Sequence, residues 1–134
     1  MSRYLLDTNI VSHFLRGHRA VDRAMVAHPI GDLCISALTS GEIHFGIARR
    51  PAGVHFAIEA QQFLAEVEIL PWDNRVAPTY GKLRASLQRS GFILAEMDLL
   101  IAAHALSVGA VLVTNDQAIL RLPGLEAEDW TRDP

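Results

Sequence analysis

The sequence predicts a three-layer α/β/α domain on a short, mostly parallel central sheet. Three observations carry that expectation. Short apolar runs recur along the chain, stretches with helical spacing of apolar residues separate them, and polar turns such as Asp7-Thr8-Asn9 and Thr114-Asn115-Asp116 follow two of the runs. Strands separated by helices pair in parallel through right-handed crossovers. Ligands of such sheets bind at the carboxyl ends of the strands, so side chains just after a strand are the first place to look for chemistry.

The elements follow in order. Arg3–Leu6 reads as a first strand, and Ile10–Leu15 as a helix stopped by Gly17. Ala20–Ala27 reads as a second short helix, closed by Pro29 and Gly31. Leu33–Ile35 is a short buried strand, and Ser36 stands where the N-cap of a helix from Ala37 to about Arg49 belongs. Pro51 and Gly53 are expected to close that helix. Val54–Glu66 is helical by composition, and Glu68–Leu70 is a strand before Pro71. Val76, Tyr80, Leu83 and Leu87 recur at helical spacing, with Pro78 tolerated only in the first turn. Asp98–Val108 is apolar nearly all round, which marks a buried helix ended by Gly109. Val111–Val113 is a β-branched strand; a short helix at Gln117–Leu122 and an edge strand near Glu126–Asp129 complete the chain.

The 134 residues suit a single domain, 1–134, with no repeat, linker or low-complexity segment, and 50% hydrophobic composition is enough for a core. Cys34, the lone cysteine, has no disulfide partner in the chain and reads as a buried thiol in a reducing compartment. The N-terminus lacks the apolar stretch of a signal peptide. The longest apolar run is interrupted by His104 and Ser107, so neither secretion nor a membrane partner is expected and the location implied is cytoplasmic.

A net charge of −3 speaks against nucleic acid at first sight. Yet Lys82 is the only lysine and every other basic side chain is an arginine, which suits bidentate phosphate contacts. If four of the acids held two Mg²⁺ ions, the balance would turn positive.

Asp7 directly follows the first strand, Asp116 stands two residues after Val111–Val113, and both belong on one rim of the sheet. Asp98 begins the buried helix, and Glu42 shares a helical stripe with Leu38 and Phe45, pointing toward protein. Four converging carboxylates cannot all ionise without cations, and an oxygen-only set favours Mg²⁺ or Mn²⁺. Such a site suits phosphodiester hydrolysis, with a metal-held water as nucleophile and the metal offsetting charge on the leaving oxygen. The chain carries no P-loop, no GxGxxG fingerprint and no Ser/His/Asp set.

Each acid also has a plain structural reading. Asp7 and Asp116 sit in common turn compositions, Asp98 suits a helix N-cap, and Glu42 has Arg49 on its own stripe as an ion-pair partner. Thr8, Asn9, Thr114 and Asn115 either orient carboxylates or satisfy turn backbone. His104 reads as a core or interface histidine; His13, His18, His28, His44 and His55 show no metal spacing; Trp72 and Trp130 read as packing residues. The other acids, with Glu96 the closest to the site in sequence, read as surface.

Four segments together resemble the PIN-domain ribonucleases of the VapC toxin type: Leu5-Leu6-Asp7-Thr8-Asn9-Ile10; Ile35-Ser36 through Gly41-Glu42-Ile43-His44-Phe45-Gly46; Asp98-Leu99-Leu100-Ile101-Ala102-Ala103-His104-Ala105 with Val113-Thr114-Asn115-Asp116; and Gly124 to Trp130. None is specific alone, but their order and spacing are. The resemblance implies a PIN-like fold and an acidic pocket of Asp7, Glu42, Asp98 and Asp116, with Asp7 and Asp98 the most direct metal ligands. It also implies Mg²⁺- or Mn²⁺-dependent endonucleolytic RNA cleavage, a homodimer, and inhibition by a VapB-type antitoxin through which the pair binds promoter DNA. Two departures stand out. Many relatives carry a second Asn where Asp116 stands and an acid three residues later, where this chain has Ile119. Many also read Gly-Pro-Phe where this chain has Ala95-Glu96-Met97.

Three other readings compete. A phospho-accepting receiver domain needs a lysine at the end of a late strand, whereas Lys82 falls in a helical stretch. A non-catalytic interaction module on the same fold has no need of all four acids. A housekeeping RNA-processing PIN nuclease would act without an antitoxin.

Overall fold

A computed structural model describes residues 2–49 and 53–133. Among these residues, β1 (Tyr4–Leu6), β2 (Leu33–Ser36), β3 (Glu68–Leu70), β4 (Val111–Val113) and β5 (Ala127–Glu128) form one sheet, in the order β3-β2-β1-β4-β5. Every pairing is parallel, with Leu5 opposite Cys34 and Leu112, and Ser36 opposite Leu70. The connections hold α1 (Thr8–Leu15), α2 (Arg19–Val26), α3 (Ala37–Ala48), α4 (Val54–Glu66), α5 (Ala77–Ser90), α6 (Glu96–Val108) and α7 (Gln117–Leu120).

Side chains of a strand alternate between faces, and here that alternation builds two cores. Leu6, Leu33, Ile35 and Val113 face α1 to α4 and pack with Ile10, Val21, Ile43 and Phe63. Leu5, Cys34 and Leu112 face α5 to α7 and pack with Leu87, Leu99, Ala102 and Ile119. A strand covered on both faces reads as a continuous apolar run, which is why β4 was legible as Val-Leu-Val. Cys34 is buried between layers, its thiol donates to the Tyr4 carbonyl at 3.4 Å, and burial pushes its pKa up to about 11. Leu112 is fully buried in the sheet. Leu112→Ala is therefore expected to lower stability by about 2–5 kcal/mol in urea unfolding, and a loss under about 1 kcal/mol would mean that this core collapses around the void.

Several boundaries differ from the sequence reading. The first turn of α1 starts at Thr8, because the Asp7 carboxylate caps it. β2 runs on to Ser36, which caps α3 by accepting from Leu38 N at 3.1 Å. α3 stops at Ala48 with Arg49 as its C-cap; Pro51 lies outside the described residues, and Gly53 is the N-cap of α4 rather than a stop for α3. Pro78 occupies the first turn of α5, where its missing N–H is harmless. α6 begins at Glu96, two residues early, capped by Ala95. α7 is a single turn ending at Leu120. Gly109 ends α6 with φ +68°, a left-handed conformation that lets the chain turn straight into β4.

β2 and β3 are added outward on one side of β1, and β4 and β5 on the other. The reversal lies between β1 and β4, so their carboxyl ends flank the crevice where α/β sheets bind ligands. Asp7 leaves one of these ends and Thr114-Asn115-Asp116 the other.

Candidate metal centre at the strand ends

Asp7 is 6% exposed, and its Oδ1 accepts the Ile10 N–H at 2.9 Å. Burial pushes its pKa from an ordinary 3.8 up to about 6; the nearby charges of Asp98 and Asp116 add to the rise, and hydrogen bonds from Thr114 and Ile10 oppose it. The Thr114 hydroxyl also accepts the Asp116 N–H at 3.0 Å, so one threonine links the turns after β1 and β4.

Asp98 stands in the first turn of α6. The cap of that helix is Ala95 and makes no side-chain hydrogen bond, so the N-cap reading of Asp98 does not hold. Partial burial first, then the charges of Asp116 and Glu42, raise its pKa. Glu42 accepts the Thr8 hydroxyl at 2.6 Å, with Thr39 Oγ1 3.2 Å from the same oxygen of Thr8. The alternative partner, Arg49, instead lies 5.4 Å from the Phe45 ring centroid. Phe45 is 63% exposed, so the stripe that carries Glu42 is less buried than its composition suggests.

Asp116 combines both readings of its sequence. Its Oδ1 caps α7, accepting from Ala118 N at 2.9 Å and Ile119 N at 3.0 Å, while its charge acts on Asp7 and Asp98. Ile119, three residues on, is 1% exposed and belongs to the core. The charges of Asp98 and Asp116 thus reach Asp7, and Glu42 on α3 joins the set through Asp98 on α6.

The flanking polar residues divide. Thr8 holds Glu42 and Thr114 holds Asp7, whereas Asn9 is exposed on α1. Asn115 donates to His13 Nε2 at 3.4 Å, a contact across 102 positions that spacing alone did not reveal. Glu96 accepts from Tyr80 at 2.8 Å, and Trp72 donates to the Leu100 carbonyl at 3.0 Å. Lys82 is an exposed residue of α5, away from any strand end, which removes the receiver-domain reading.

The donor set fits a hard dication: it is all carboxylate, and the proton affinity of Asp7 and Asp98 is raised by burial and by one another's neighbours. Among the described residues no three potential ligands are already drawn into a closed chelate, so the carboxylates share a rim rather than a finished cage.

A parallel sheet with acids gathered at its switch point is the architecture of a doubly wound α/β enzyme, and the PIN-domain family model matches residues 4–125. The chain belongs to that family, in its VapC ribonuclease branch. It is 30% identical over 131 residues to Ribonuclease VapC2 of Haemophilus influenzae, covering 97% of this chain and 99% of the relative. It is 31% identical over 132 residues to the tRNA(fMet)-specific endonuclease VapC of Shigella flexneri, covering 98% and 100%. A solved structure of DNA-bound VapBC from Salmonella typhimurium superposes with a TM-score of 0.88 at 30% identity, covering 97% of this chain and 99% of that one.

Proposed function

We propose that this chain is a divalent-metal-dependent endoribonuclease and the toxin of a type II toxin–antitoxin pair. The observation that carries the reading is the convergence of the acids on one rim: Asp7, raised to about 6 chiefly by burial, also feels the charges of Asp98 and Asp116, and Asp98 feels those of Asp116 and Glu42. Asp7 and Asp98 are the direct ligands of Mg²⁺ or Mn²⁺ in this reading, with Asp116 and Glu42 completing the set. When bound, the ion supplies an activated water and offsets charge on the phosphate. The chain's own contribution is positional. Thr114 orients Asp7 and joins it to the Asp116 turn, Thr8 orients Glu42, and the two helix caps fix one oxygen of Asp7 and of Asp116.

RNA as substrate is supported by the ribonuclease and tRNA-endonuclease names of full-length relatives and by the arginine-rich basic set. A VapB-type antitoxin as partner is supported by the VapBC complex among the structural neighbours, which is bound to DNA; contact with promoter DNA through that antitoxin belongs to the same proposal. A groove of about 620 Å³ adds to this, with an apolar floor that includes Phe14, Met25 and Phe63 and acids Asp22, Glu59 and Glu66 along it. Its chemistry suits a basic amphipathic segment of a partner. Homodimerisation and a cytoplasmic location belong to the same proposal; among the described residues no helix is long and apolar enough to cross a membrane. The housekeeping reading has no comparable support, since the structural neighbour reported above is a toxin–antitoxin complex.

The test is cleavage of total cellular RNA by the purified chain. Cutting at discrete positions with Mg²⁺, abolished by EDTA and restored by excess Mn²⁺, is the expected result. Metal-independent cutting, or none in a folded and metal-supplied protein, would sink the reading, and persistence of activity with the product of the neighbouring short reading frame would remove the toxin assignment alone.

A further inference from the structure

We propose that His104 is a positioning residue for the carboxylate pocket, acting through Ser36 to lock the start of α3 against α6. The inference rests on the nuclease reading above and adds a residue outside the acidic set.

His104 is 0% exposed in the middle of α6, and its Nδ1 lies 2.9 Å from Ser36 Oγ. Ser36, also 0% exposed, is the last residue of β2 and the N-cap of α3. The two positions are 68 apart in sequence. The helices they tie together are the two that bear Asp98 and Glu42, whose charges act on one another. Ser36 Oγ already accepts from Leu38 N, and a hydroxyl keeps enough capacity to bond His104 in either tautomer. One hydroxyl thus fixes the first turn of α3 and ties it to α6.

His104 Nε2 is buried and has no hydrogen-bond partner among the described residues. The ring also borders a cavity of about 270 Å³ lined in part by Leu70, Asp73, Arg75 and Ser107. Burial lowers the His104 pKa and the Asp73 charge opposes that effect, so the ring is neutral at physiological pH and serves as a hydrogen-bond partner rather than a cation.

The test uses geometry that only a positional role requires. Asparagine places an amide near the position of Nδ1, so His104→Asn keeps a partner for Ser36, whereas His104→Leu keeps packing and loses it. His104→Leu is expected to lower kcat about 10- to 100-fold with KM for RNA unchanged, and to weaken Mn²⁺ binding by a similar factor in calorimetry. His104→Asn is expected to recover most of both. If folded His104→Leu cleaves RNA and binds Mn²⁺ like the parent, or if His104→Asn is as impaired as His104→Leu at equal thermal stability, the proposal is overturned. Should His104→Leu fail to fold, His104→Gln, whose amide reaches the place of Nε2 rather than Nδ1, takes its part: unchanged kcat and Mn²⁺ affinity overturn the proposal, and losses that His104→Asn recovers support it. Failure of the parent chain to cleave with any divalent metal would instead overturn the nuclease reading.

Discussion

Asp98→Asn is expected to lower RNA cleavage by about 1,000-fold or more while leaving the thermal midpoint unchanged or slightly raised. Asp98 stands in the first turn of a helix capped by Ala95, so no helix bond depends on its carboxylate. Its neighbours are the charges of Asp116 and Glu42, and removing one of several crowded acids relieves repulsion in the metal-free protein. What the substitution takes away is the charge that pairs with a dication. Asp116→Asn is expected to cost less, because one oxygen of Asp116 is engaged in the cap of α7, a task asparagine performs equally well. Cleavage rates of the two variants under single-turnover conditions check the ranking; equal losses would contradict it, and full activity of Asp98→Asn would remove Asp98 from the centre.

Asp7→Asn is expected to abolish cleavage and, at pH 7.5 without metal, to raise the thermal midpoint by roughly 5 °C or more. The sign follows from the pKa of about 6 in the folded chain against an ordinary 3.8. Between those values the folded protein holds a proton that the unfolded chain releases. Stability of the metal-free protein therefore falls as pH rises through that window, and above about pH 6 the penalty is fully expressed, on the order of 3 kcal/mol. Asparagine carries no charge there and can still accept from Ile10 N. Mg²⁺ is expected to stabilise the parent strongly at pH 7.5, weakly at pH 5, and the Asn variant little at either. Melting curves of both proteins across pH 4–8, with and without Mg²⁺, read this directly. A parent whose stability is flat across that range, paired with a less stable variant, would show that Asp7 carries no such strain.

Local chemistry made most of the fold legible. α4, β3 and β4 lie where the sequence reading put them, because their ends coincide with abrupt changes from apolar runs to proline, glycine or polar turns. Asp7 and Asp116 were legible as rim residues because each follows a strand. The helix boundary at Asp98 was not, since nothing in Ala95-Glu96-Met97 is a preferred cap. Contacts such as Asn115 with His13 and His104 with Ser36 were beyond periodicity altogether, because they join residues brought near only by the sheet order.

The place of β4 in that order has a consequence for biosynthesis. The strand lies inside the sheet, beside the central β1, yet it is encoded in the last quarter of the chain, together with the last of the four acids. A nascent polypeptide released at residue 105 would hold Asp7, Glu42 and Asp98 but lack the neighbour that β1 needs on its other side. In the toxin reading proposed above, the chain gains its activity only when translation is nearly finished, which leaves an inhibitor already in solution little time in which to be late.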